Sequence, residues 1–153
     1  MDLGIRGRRA IVSGASKGLG RACAYSLARE GVSLGIVART ESDLVRTADD
    51  IRNKAGVQVV PVAADISTAE GRARVLAAFP DPDIVVNNAG GPPAGDFRQF
   101  SREDWIRALD ACMLGPIDMI RLTIDGIIAR RFGRAPDSPA SWQGSRTEWC
   151  ITT

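Results

Sequence analysis

Short apolar runs alternate with helix-like stretches along the first ninety residues, and few folds accept such a chain. Arg9 to Ser13, Val32 to Ala38, Val57 to Ala63 and Asp83 to Val86 have strand length and are rich in Val, Ile and Leu. Between them, Gly18 to Glu30, Glu41 to Ala55 and Thr68 to Phe79 read as helices, with Gly31 and Gly56 as stops. Strands buried on both faces carry continuous apolar runs rather than alternating ones. The pattern therefore predicts an α/β chain with a doubly wound parallel sheet. Right-handed crossovers give the strand order 3-2-1-4. A ligand is expected at the carboxyl ends of strands 1 and 4, where that order reverses.

The turn after the first run carries Ser13-Gly14-Ala15-Ser16-Lys17-Gly18-Leu19-Gly20. Its glycines are spaced GxxxGxG, a relative of the GxGxxG fingerprint of dinucleotide-binding Rossmann folds. Glycine permits a tight turn and lets the backbone come close to an anion. The helix that follows aims unpaired N–H groups and its positive end at the same place. Gly14 is assigned to the turn, Gly18 to close approach of a pyrophosphate, and Gly20 to packing helix on strand. Further candidates fall at the same end of successive strands. Arg39 follows strand 2, nineteen residues after Gly20, where a cation suits the 2′-phosphate of NADP and an acid would suit NAD. Lys17 adds a second positive charge. Asp65 follows strand 3, where a carboxylate accepts from an adenine amino group or caps a helix. Asn87-Asn88-Ala89-Gly90 ends strand 4, as part of a site or as plain turn formers.

Composition narrows the partners. The 153 residues hold 20 basic and 18 acidic side chains, without the basic surface that nucleic acid or an anionic membrane would select. No stretch is apolar enough to span a bilayer, since Ile106 to Ile128 carries Arg107, Asp110, Asp118, Arg121 and Asp125. The absence of His removes the commonest metal ligand and general base, and no metal site is expected. Cys23, Cys112 and Cys150 are far apart, odd in number and free of CxxC spacing. They suit free thiols in a reducing cytoplasm. Met1 to Arg9 has no apolar signal-peptide core.

The last third reads differently. Gly90 to Gly95 is a Gly/Pro-rich loop. Ser101, with Asp104 three residues on, starts a long helix expected over 102–132. Pro116 lies inside it and cannot donate to the carbonyl of Cys112, which predicts a kink and a freed carbonyl there. After Gly133 the texture changes. Residues 134–153 contain Pro136, Pro139, several serines and two of the three tryptophans, with no clear period. The expected organisation is an incomplete Rossmann domain over 1–134, truncated after the fourth strand and the long helix, and an irregular tail over 135–153.

The glycine turn, Asp65 and Asn87-Asn88-Ala89-Gly90 together resemble the short-chain dehydrogenase/reductase family over about Leu3 to Arg134. The likeness is strongest to members of the 3-oxoacyl-carrier-protein reductase type, with Gly90-Gly91-Pro92-Pro93 a subgroup-like detail. The resemblance implies an oxidoreductase passing hydride between NADPH and a carbonyl or alcohol substrate, with NADP favoured over NAD. It implies cofactor contacts at Gly14, Ser16, Lys17, Gly18, Leu19, Gly20, Arg39, Asp65, Ile66, Asn87, Asn88, Ala89 and Gly90. It also implies a homo-oligomer joined through the long helix 102–132. The family's general acid/base is a tyrosine helped by a lysine four residues later. Here the only tyrosine is Tyr25, in the first helix, and the only lysines are Lys17 and Lys54. Cys112 stands where the family's relay asparagine is expected, and Thr153 corresponds to its serine only if Cys150 to Thr153 forms a displaced fifth strand. No catalytic residue is therefore assigned. The chain is expected to be an amino-terminal fragment, inactive alone, whose tail looks out of frame or inserted. The alternative is a dinucleotide-binding module or partner subunit that performs no chemistry. A methyltransferase also places a glycine-rich loop after strand 1, but Arg39 stands where its ribose would favour an acid.

Overall fold

The computed structural model describes residues 3–88 and 95–131. Its strands are β1 (Arg9–Ser13), β2 (Ser33–Ala38), β3 (Val59–Ala63) and β4 (Ile84–Val86). Its helices are α1 (Gly18–Arg29), α2 (Glu41–Ala55), α3 (Ala69–Ala78), α4 (Arg102–Leu109) and α5 (Gly115–Ala129). The four strands are all parallel, in the order β3-β2-β1-β4. Val12 pairs with Val86 and Ser13 with Val37, so the ends of β1, β2 and β4 are level.

Each strand sends alternate side chains to opposite faces, and two buried clusters result. On one face Ala10, Val12, Leu34, Ile36 and Val59 meet Ala24 and Ala28 of α1 and Leu44, Ala48 and Ile51 of α2. On the other, Ile11, Val37, Val62 and Val85 meet Val75 of α3, Phe79 and Met119 of α5. Full burial of one such side chain is worth about 1.5–3 kcal/mol. Gly35 has a packing reason, because a Cβ there would lie 2.7 Å from the ring of Phe79. Pro61 sits on β3, at the outer edge of the sheet, where a missing N–H is tolerated.

The amino-terminal end of the sheet is held by ions. Asp83 is buried, accepts from the Arg9 amide at 3.0 Å and from Arg130 Nε at 3.1 Å. Arg9 also donates through its guanidinium to Pro80 O and lies 4.3 Å from the centre of the Phe79 ring. Arg130 thereby fixes the end of α5 to the start of β4.

The long helix expected over 102–132 is not one α-helix. Ser101 and Asp104 form the capping box that the sequence suggested, with Asp104 N donating to Ser101 Oγ at 3.2 Å. A π-helical turn over Asp110–Leu114 then separates α4 from α5, and the amide of Gly115 donates to Asp110 O. Pro116 thus falls in the first turn of a new helix, where its missing N–H costs little. The wider turn takes the place of the expected kink, and Cys112 within it is not without a partner. Helix α5 ends at Ala129. The loop over 91–94, Phe132 and the tail over 135–153, including the strand suggested at Cys150 to Thr153, lie outside the described residues.

Candidate functional site

The carboxyl ends of the four parallel strands lie on one side of the sheet, and the glycine turn leaves β1 on that side. Gly14 has φ +62° and Gly18 φ +58°, a backbone region that L side chains rarely adopt. A Cβ on Gly14 would lie 2.5 Å from Asn88 O, so the turn and the end of β4 touch backbone to backbone. A Cβ on Gly20 would overlap Gly14 O and lie 2.6 Å from Asn88 Nδ2. Gly20 therefore packs α1 against the turn itself. Among the described residues nothing lies within 4 Å of a Cβ on Gly18, and the residue is exposed. Gly14 and Gly18 both need a positive φ, and Gly20 makes a close packing contact.

Ser13 supplies a link that sequence reasoning missed. Its Oγ donates to Val86 O at 3.0 Å and accepts from Asn88 N at 2.8 Å. The hydroxyl thus joins the ends of β1 and β4 below the turn. Its signal was a serine ending an otherwise apolar run beside the first glycine. Asn87 is buried, and its side chain makes no hydrogen bond among the described residues. Ala89 and Gly90 lie outside them.

Helix α1 begins at Gly18 with Lys17 as its N-cap, and no side chain caps it. By contrast the hydroxyls of Thr68 and Ser101 cap α3 and α4. No acidic residue occupies the first turn of α1. Its leading amides and positive dipole end therefore face the glycine turn without a side-chain anion of the chain's own. Lys17 and Leu19 are exposed there, and Ser16 is half-buried. A cradle that tolerates no side chain at Gly14 or Gly20 but stands open at Gly18 fits a diphosphate.

Arg39 is exposed just past β2, and Asp65 is exposed just past β3. The two strand ends are level, with Ala64 N donating to Ala38 O at 3.0 Å. Asp65 Oδ1 accepts from the Ser67 hydroxyl at 2.7 Å and from the Ser67 amide at 3.0 Å. Those two bonds hold its carboxyl below the usual carboxylate range; burial opposes them weakly and the Arg39 charge assists. The helix cap at this point is Thr68 rather than Asp65. Ile66 is buried directly behind.

The remaining chemistry-bearing residues lie elsewhere. Tyr25 donates its hydroxyl to Asp50, and Lys54 Nζ binds the same carboxylate at 2.9 Å. The ring of Tyr25 packs against the core between α1 and α2. Tyrosine and lysine meet, but on the helical flank and away from the glycine turn. No group of three or more Cys, Asp or Glu placed to hold a metal occurs among the described residues, and no described helix is long and apolar enough to cross a membrane.

Known proteins share this fold and sequence pattern. The family model described as short chain dehydrogenase matches residues 8–135. An uncharacterized oxidoreductase of Bacillus subtilis, YvaG, is 30% identical over 135 residues, covering 88% of this chain and 51% of that protein. Human L-xylulose reductase is 31% identical over 130 residues, or 85% of this chain and 51% of its own length. Among solved structures, L-sorbose reductase from Gluconobacter frateurii, complexed with NADPH and L-sorbose, superposes with a TM-score of 0.80. It is 34% identical, and the match covers 85% of this chain and 51% of that one. The 3-oxoacyl-[acyl-carrier protein] reductase from Brucella melitensis follows with a TM-score of 0.76 at 27% identity, covering 84% and 50%. The chain spans about half the length of the relatives it matches. With the family model matching over most of the 153 residues and the parallel sheet shared, the chain belongs to the short chain dehydrogenase family.

Proposed function

We propose that these residues form the cofactor half of an NADP(H)-dependent carbonyl reductase or alcohol dehydrogenase. The observation that carries the reading is the cradle between Gly14 and Gly20, closed to side chains at two glycines and open at the third. The amides from Gly14 to Gly20, with Ser16 and Leu19, receive the diphosphate. Arg39 and Lys17 face the 2′-phosphate and favour NADP over NAD. Asp65 and Ile66 receive the adenine, and Asn87 to Gly90 lie beside the nicotinamide half. When bound, the cofactor supplies the hydride chemistry, and the protein supplies position and electrostatics. Residues 1–134 constitute the nucleotide-binding unit on this reading, and 135–153 lie outside it.

The same 153 residues hold no tyrosine–lysine pair spaced for proton transfer. Tyr25 is already engaged by Asp50 on the far side of α1. General acid catalysis contributes about 10²–10⁴-fold, so the chain alone reduces no carbonyl above background. The engagement of Tyr25 also favours a second reading, a dinucleotide-binding subunit without chemistry of its own. Apolar side chains of α4 and α5, among them Trp105, Leu109, Leu122 and Ile128, are about half exposed and suit self-association along that face.

Titration with NADPH and with NADH, followed by nicotinamide fluorescence, tests the reading. Saturable binding is expected, with NADPH preferred by about tenfold through the two cations. Failure to saturate at millimolar NADPH refutes it. A separate assay of carbonyl reduction distinguishes the half-enzyme from an active one.

A further inference from the structure

Among the described residues, Arg72 is one of two charged side chains that the fold buries, the other being Asp83. Burying a guanidinium is costly unless its donors are satisfied. Here Nη1 donates to Ile66 O and to Ser67 O, both at 2.9 Å, and Nη2 donates to Asp118 Oδ2 at 2.8 Å. One rigid fork therefore grips two successive carbonyls of the β3–α3 loop and anchors them to α5. The same loop is confined from two sides. Gly71, in the first turn of α3, touches it so closely that a Cβ would overlap Asp65 O. Gly115, in the first turn of α5, lies beneath it, where a Cβ would stand 3.3 Å from Ile66 O. Gly115 and Asp118 are three residues apart and share one helix face. The π-helical turn ahead of α5 sets which face that is.

We propose that Arg72 and Asp118 are positioning residues for the adenine end of the cofactor, holding Asp65 and Ile66 in place from α5. The inference rests on the nucleotide-binding reading above. Asp118 is partly exposed and also pairs with Arg121 at 3.3 Å. An asparagine in its place keeps an oxygen that can accept from Nη2. Exchanging the carboxylate for an amide therefore leaves the buried donor a weaker partner and costs little global stability. The effect is local. Without the carboxylate, the guanidinium loses the charged partner that orients its fork. The carbonyls of Ile66 and Ser67 then lose a fixed donor, while the core contacts of Val75 and Met119 stay in place.

Three measurements on the whole chain test this: hydrogen exchange by peptide, binding of 2′,5′-ADP by calorimetry, and the urea midpoint. In Asp118→Asn, exchange over 64–70 should accelerate about fivefold, with exchange over 10–20 and the urea midpoint nearly unchanged. The dissociation constant for 2′,5′-ADP should rise by about the same factor. Asp118→Glu, which keeps the charge, should recover most of both losses. Unchanged exchange over 64–70, or acceleration spread evenly over all peptides, overturns the proposal. So does unchanged 2′,5′-ADP binding despite faster local exchange. If the unaltered chain binds no 2′,5′-ADP, the positioning role falls together with the cofactor reading. Faster exchange confined to 64–70 in Asp118→Asn would then locate the fault in that reading, not in the pair's hold on the loop.

Discussion

Gly18 and Gly56 offer a matched pair of substitutions. Both are exposed, with φ of +58° and +65°, and a Cβ on either would meet nothing within 4 Å among the described residues. Alanine at either position therefore carries the same penalty, the strain of an L residue in the left-handed region, about 1–2 kcal/mol. In a domain of ~150 residues this lowers Tm by about 2–8 °C. The two sites differ only in what lies outside. Gly56 closes α2 at the amino-terminal end of the sheet, whereas Gly18 opens α1 in the glycine turn. A methyl group on Gly18 would occupy the space assigned to the diphosphate and displace it from the leading amides of α1. Weakening one such charge-assisted contact costs about 1.5–3 kcal/mol, or roughly ten- to hundredfold in affinity. Thermal melts and NADPH titrations of Gly18→Ala and Gly56→Ala should thus give equal losses of stability and unequal losses of binding. If Gly18→Ala binds NADPH as well as Gly56→Ala does, the diphosphate does not rest at Gly18 and the site assignment is wrong.

Three further outcomes follow from the geometry. Asp83→Ala removes a buried carboxylate shared by the Arg9 amide and Arg130; it should cost about 2–3 kcal/mol in a urea titration, because both donors are stranded. Asp65 has its carboxyl held below the usual range, first by the Ser67 hydroxyl and then by the Ser67 amide. The stability this brings is complete above the ordinary carboxylate value and is lost as pH falls through the lower folded-state value. Urea midpoints of the unaltered chain and Asp65→Asn should therefore differ at neutral pH and converge in acid. Leu109→Lys combined with Leu122→Lys places charge on the exposed face of α4 and α5; light scattering should show a larger monomer fraction than the unaltered chain at equal concentration.

The fold was legible wherever a single local rule governed. Val, Ile and Leu in unbroken runs located the strands, and β1 falls on Arg9–Ser13 as expected. Helix α2 begins and ends where Glu41 and Gly56 suggested, because a left-handed glycine closes it. Strands β2 and β3 start one and two residues later than their apolar runs, since Val32 and Val57 pack into the core ahead of the ladder. What was not legible depended on contacts between distant residues. The role of Asn88 against Gly14 and Gly20 arises only once β4 lies beside β1. Ser13 read as the end of a strand because its two partners are more than seventy residues away. Pro116 announced a disturbance, but whether the helix kinks or widens depends on what Gly115 rests against. Nothing in the sequence separates Arg72 from the other dispersed arginines, because its burial follows from the arrival of α5.

The bond between Asp83, Arg9 and Arg130 has a consequence for how such a chain can change over time. It rivets the lower rim of the sheet through charged side chains, whereas the rim around the glycine turn is joined by the Ser13 hydroxyl and by close main-chain contacts at Gly14 and Gly20. Substitutions of Asp83, Arg9 or Arg130 then act first on the strand frame, and substitutions of the turn glycines act first on the turn.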